Sequence, residues 1–178
     1  MEKRYVNALH YLSKSLFTFW IILIFLFSDT DWARFNGKLY TVFNVGGTFE
    51  EAKSRCENNG AQLPKPRNDV ENTYLATLAT KSFYLDLTNE ETDGNWRWTS
   101  DTSSSVTYFK WKTWERSDVE DEPNGGVDQS CVIMFKTYEQ YNVSDSSDWA
   151  DHFCSWSSPV TVCEKGRHNT NYITYLKL

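Results

Sequence analysis

Apolar and polar positions change their period partway along this chain. Lys38 to Phe43 alternates and is rich in Tyr, Val and Phe, which predicts a half-buried strand. Thr48-Phe49-Glu50-Glu51 reads as a capping box, because the threonine hydroxyl and the glutamate carboxylate can each satisfy a backbone N–H that the first helical turn leaves unpaired. Phe49, Ala52 and Cys56 follow at i, i+3 and i+7, so a short helix buries that face, and Gly60 can close it in the left-handed conformation. Asn68-Asp69-Val70-Glu71 repeats the capping grammar, and Val70, Tyr74 and Leu78 continue at four-residue steps as a second helix. From Phe83 onward the helical period gives way to short apolar runs. Phe83–Leu87, Trp96–Thr99, Cys131–Phe135, His152–Trp156 and Val160–Cys163 predict strands, with polar stretches at 101–105 and 115–129 between them, the second a long surface loop. Two helices followed by strands and loops predict an α+β domain.

The N-terminus changes this picture by setting the compartment. Leu16 to Phe27 is apolar except for Thr18 and follows Lys3, Arg4 and Lys14, like a signal-peptide core behind a positive flank. It is shorter than the roughly twenty residues of a membrane-spanning helix. Phe27-Ser28-Asp29-Thr30 lacks a clean small-x-small cleavage pattern, so a retained anchor with Lys14 snorkelling is the alternative. Residues 1–30 are therefore expected to be a signal peptide or signal anchor, 31–165 one domain, and 166–178 a tail. The domain is secreted, or extracellular on a type II membrane anchor; only the second case involves a membrane. Cys56, Cys131, Cys154 and Cys163 all lie in the exported part, and an even count there implies two disulfides with three connectivities open. Zinc is disfavoured, since no C-x-x-C pair is present and His152 is the nearby imidazole. Asn142-Val143-Ser144 is a glycosylation acceptor.

Composition narrows the function. Eight Trp, ten Tyr and eleven Phe among 178 residues supply a core without help from a metal, and a net charge of -6 argues against a phosphate-tracking nucleic-acid binder. With His10 in the leader, His152 and His168 are the remaining candidate bases. No nucleophile elbow, phosphate-cradling glycine loop or metalloprotease motif accompanies them, which points to a binding module rather than an enzyme. The candidate chemistry lies in Glu122-Pro123-Asn124 and in Asp151 of Asp148-Trp149-Ala150-Asp151. These place oxygen ligands on two separated segments, and a hard cation such as Ca2+ takes about six to eight oxygens. Positions left open on such an ion can be filled by neighbouring sugar hydroxyls.

The order of these features resembles the C-type lectin domain over roughly 32–164. The resemblance is carried by Thr48-Phe49-Glu50-Glu51-Ala52 before Cys56, Gly60-Ala61-Gln62-Leu63, and Tyr84-Leu85-Asp86-Leu87 before Trp96-Arg97-Trp98. It continues through Glu122-Pro123-Asn124, Cys131-Val132, Trp149-Ala150-Asp151, Cys154 and Val162-Cys163-Glu164. It implies a fold of two short helices, antiparallel strands and a long loop region, with disulfides Cys56 to Cys163 and Cys131 to Cys154, in the short form without an N-terminal hairpin bridge. It also implies that Glu122, Asn124 and Asp151 hold Ca2+ and contact a mannose-, glucose- or N-acetylglucosamine-type sugar, on glycans or glycoproteins, around a cis Glu122-Pro123 bond. Three departures qualify it. Ala150 stands where the family has Asn, Gln129 stands where it has an acidic residue, and an acidic insertion carries Glu115, Asp118, Glu120 and Asp121. Asp128 is the expected substitute ligand if the loop shifts, and Asp148 a less favoured one. A second calcium site known in some members is depleted, with Asn89, Gly125 and Ser130 in its place. The alternative is a calcium-independent domain of the same fold that binds a protein or other non-sugar ligand.

Overall fold

The computed structural model describes residues 32–89, 94–114, 119–136 and 147–166. The N-terminal apolar run, Glu115, Asp118, Asn142 and the tail beyond Gly166 lie outside the described residues. Along the chain come β1 (Ala33–Phe35), β2 (Lys38–Gly46), α1 (Phe49–Glu57), α2 (Asp69–Leu78), β3 (Phe83–Thr88), β4 (Arg97–Trp98), a short 3-10 turn (Gly126–Asp128), β5 (Cys131–Met134), β6 (Trp149–His152) and β7 (Val160–Gly166).

The helix starts follow from local chemistry. In α1 the Thr48 hydroxyl accepts from Glu51 N at 3.3 Å, and the Glu51 carboxylate accepts from Thr48 N at 2.9 Å. Phe49, Ala52 and Cys56 are its buried residues, and Gly60 has φ of 63°, as the pattern predicts. In α2 the Asn68 side chain accepts from Glu71 N at 3.0 Å, but Glu71 accepts from Arg67 N and Lys38 Nζ, each at 3.1 Å, instead of reaching back to Asn68 N. The helix is consequently rotated from the predicted line. Val70 is 63% exposed, while Glu71, Asn72 and Leu75 are buried. Asn72 tolerates burial because both ends of its amide are used: Nδ2 donates to Ser147 O at 2.8 Å, and Oδ1 accepts from Trp149 Nε1 at 2.7 Å. Tyr74 and Leu78 pack against the core only in part.

Among the described residues one sheet runs in the order β1-β2-β7-β3-β5-β6, with β4 beside β3. Its pairings are antiparallel except that β7 meets β3 in parallel at Phe83 and Val160, so the sheet is mixed where an antiparallel one was expected. β7 lies between β2 and β3, antiparallel to the first and parallel to the second. The sequence places a strand at His152–Trp156, but β6 occupies Trp149–His152 and the chain then turns, with Trp156 N donating to Phe153 O at 3.0 Å. The Tyr84 hydroxyl lies 2.9 Å from Phe153 O and 2.8 Å from Trp156 O, so those carbonyls serve a turn instead of a ladder. The Trp96–Thr99 run contracts to the two-residue β4. Leu75, Leu85, Leu87, Trp98, Val132, Met134, Trp149 and Val162 form the centre of the core. Cys56 is bonded to Cys163, tying α1 to β7, and Cys131 to Cys154, tying β5 to the turn after β6, the pairing that the resemblance implies.

Candidate functional site

The candidate site is built outward from β6, the last strand in the sheet order. Trp149 N donates to Lys110 O at 2.6 Å and Lys112 N donates to Trp149 O at 2.8 Å, so 110–112 lies along β6 as a parallel bridge. Lys112 O accepts from Glu122 N at 2.9 Å, which carries the ladder to the Glu122-Pro123-Asn124 turn. β6 supplies Asp151, only 2% exposed. Its Oδ1 accepts from Asn124 N at 3.0 Å and its Oδ2 from Gly125 N at 2.9 Å, so two backbone donors fix the carboxylate. The Glu122-Pro123 peptide is cis. Glycine is required at 125, because a Cβ there would sit 2.4 Å from Gln129 Cβ.

Three of the expected ligands therefore meet. Glu122, Asn124 and Asp151 surround one spot, although they come from segments more than two dozen residues apart in the chain. Asp128 does not join them: it is exposed on the 3-10 turn, and among the described residues no group of three or more His, Cys, Asp and Glu is placed to hold a metal. Asp148 pairs with Lys112 at 3.5 Å and does not stand in for the oxygen missing at Ala150. At the depleted second position, Asn89 N donates to Ser130 O at 3.1 Å and the Ser130 hydroxyl to Val127 O at 2.6 Å. His152 stacks on Trp156 with centroids 4.2 Å apart, and burial holds its imidazole below the usual range.

The electrostatics of the pair test whether a cation fits. Glu122 Oε1 accepts from Trp114 Nε1 at 3.4 Å, but Oε2 is buried with no hydrogen-bond donor. The Glu122 carboxyl lies within hydrogen-bonding reach of Asp151. Burial first, then the hydrogen bond and the charge of Asp151, push Glu122 up to about 8, with Trp114 and Asn124 acting the other way. Two carboxylates held together away from water need a proton or a cation between them. An orphaned carboxylate oxygen, a second carboxylate fixed by backbone donors and an amide fit a hard cation in kind. Glu122, Asn124 and Asp151 would hold it, with few protein oxygens for an ion that takes about six to eight.

A pH dependence follows. Glu122 binds its proton more tightly in the folded domain, at about 8, than at its ordinary value of 4.5. Its contribution to metal-free stability is therefore full below the ordinary value and is lost as pH rises through about 8. Relative to Glu122→Gln, the wild-type metal-free domain should lose melting temperature steadily across that window. A constant difference between the two proteins, read by calorimetry from acid to mildly alkaline pH, would contradict the pairing of Glu122 with Asp151.

Trp114 is the contributor that the sequence reading passes over. Its signal is an aromatic residue placed immediately before the acidic segment.

A family model described as Lectin C-type domain matches residues 45–165. A mannose-binding protein of Gallus gallus is 31% identical over 114 residues, which make up 63% of this chain and 38% of that protein; the chain thus matches well under half of that relative's length. Among solved structures, the cow C-type carbohydrate-recognition domain of CD23, crystallised in the presence of GlcNAc2Man3 oligosaccharide, superposes with a TM-score of 0.63 at 21% identity, covering 78% of this chain and 95% of that one. A calcium-independent type II antifreeze protein superposes with a TM-score of 0.62 at 18% identity, covering 77% and 92%. At these identities the two structures speak to the fold alone.

Proposed function

The chain belongs to the C-type lectin domain family, and from that premise we propose that it is an exported carbohydrate-recognition domain that takes mannose-type sugars with Ca2+ at Glu122, Asn124 and Asp151. The observation that carries this reading is the buried, donorless Oε2 of Glu122 beside Asp151. Bound calcium would supply coordination positions that two adjacent sugar hydroxyls can complete. The protein's own part is orientation. Asp151 is locked by the backbone N–H groups of Asn124 and Gly125, and Asn124 Nδ2 donates to Glu120 O at 3.1 Å, which leaves its Oδ1 as an acceptor. The Glu-Pro-Asn order and the relative named for mannose binding support the sugar class. With two carboxylates, calcium affinity belongs at the weak end for extracellular modules, about 10⁻⁴ to 10⁻³ M or weaker. Two oxidised cysteine pairs suit the oxidising side of a membrane.

A second reading has a specific observation behind it. Asp128 stays outside the cluster and Ala150 offers no side-chain oxygen, so Glu122 can keep its proton beside Asp151 and the domain can bind a non-sugar ligand without calcium. Chromatography on immobilised mannose separates the two. Retention in millimolar calcium with release by chelator is the expected result, and Glu122→Gln with Asn124→Asp should shift the preference toward galactose. Equal behaviour with and without chelator would overturn the calcium-dependent reading.

A further inference from the structure

We propose that Trp114 and Asp121 form a clasp that positions Glu122 and Asn124, so that Glu120 and Asp121, from the acidic insertion preceding Glu122, are working parts of the site. The inference rests on the reading of Glu122, Asn124 and Asp151 as the ligand-binding group and adds the residues that hold two of them in place.

The clasp is made by the two flanks of residues 115–118, namely 112–114 and 120–122. Trp114 N donates to Asp121 Oδ1 at 2.7 Å, and Glu122 N donates to Lys112 O at 2.9 Å, which draws the flanks together. From that junction the Trp114 indole donates Nε1–H to Glu122 Oε1 at 3.4 Å, leaving Oε2 as the free oxygen. The carbonyl of Glu120 takes the Nδ2 of Asn124 at 3.1 Å. The indole itself is anchored, edge-on to Phe135 with centroids 6.0 Å apart and beneath Lys112 Nζ at 5.5 Å. The N–H on Oε1 holds the Glu122 carboxyl in one orientation, with Oε2 left for a metal or a sugar hydroxyl.

The test has a metal-free arm and a metal arm. In calcium-free protein, the Trp114 indole cross-peak in a ¹H–¹⁵N spectrum, identified by its loss in Trp114→Phe, should move and exchange faster in Glu122→Gln. An unmoved peak would overturn the clasp. In the metal arm, terbium(III) serves as the probe. Trp114→Phe keeps a ring against Phe135 and under Lys112 but removes the N–H, and it should weaken terbium binding by about 10-fold with the melting temperature unchanged. Asp121→Ala should do the same, and Asp121→Asn, which still offers Oδ1 to Trp114 N, should restore binding. Wild-type affinity in both Trp114→Phe and Asp121→Ala would overturn the proposal. If the wild-type protein takes up no terbium, the calcium-dependent reading fails and the indole spectrum alone decides the clasp.

Discussion

Replacing Cys56 and Cys163 together with alanine is expected to lower the stability of the domain by about 5 kcal/mol in a chain-entropy model, a large share of what a domain of this size has. The two residues are separated by 107 positions, so the bond restricts more than half of the unfolded chain, and it joins the buried face of α1 to a strand at the middle of the sheet. Cys131 and Cys154 are separated by 23 positions, for which the same model gives about 3 kcal/mol. The order of the two effects is the informative result. Urea unfolding of the two double variants should place the Cys56–Cys163 pair well below the other. The Cys131–Cys154 variant should suffer more in ligand binding, because that bond ties the start of β5 to the turn after β6, the strand that carries Asp151. A reversed stability order would show that loop length does not govern these bonds.

Asp151→Ala is expected to abolish cation uptake and sugar retention and to destabilise the fold by about 2–4 kcal/mol. The stability loss arises because the N–H groups of Asn124 and Gly125 lose the buried carboxylate that accepts from both of them. The binding loss arises because the fixed half of the carboxylate pair is gone. Asp151→Asn separates the two effects. Its amide oxygen keeps one acceptor and removes the charge, so unfolding should move back toward wild type while calorimetric calcium uptake stays lost. Wild-type calcium uptake by Asp151→Asn would place the cation elsewhere.

These expectations rest on features with different origins. The start of α1 was legible because its partners, Thr48 and Glu51, are three residues apart and the exchange between them is nearly independent of the rest of the chain. The grouping of Glu122, Asn124 and Asp151 was legible from residue chemistry and from the order of motifs along the chain. The buried face of α2 was not, since it depends on Glu71 meeting Lys38 and on Asn72 meeting Ser147 and Trp149. Period counting assigned the helix to Val70, whereas satisfied polar groups drew it round to Glu71 and Asn72. Asp128, one position from the place the resemblance gives an acidic residue, could serve as a ligand only if the loop shifted, but on the 3-10 turn at 126–128 it is exposed.

The sequence by itself determined the α+β class, the helix starts, the even set of cysteines and the three residues that meet at the site, because each depends on close neighbours or on an ordered set of residue types. Tertiary structure decided the rotation of α2, the parallel contact of β7 with β3, the early end of β6, the exclusion of Asp128 and the hold of Trp114 on Glu122. Each of these turns on which donor finds which acceptor once distant segments are packed together, and burial makes an unpaired polar group costly enough to override local preference.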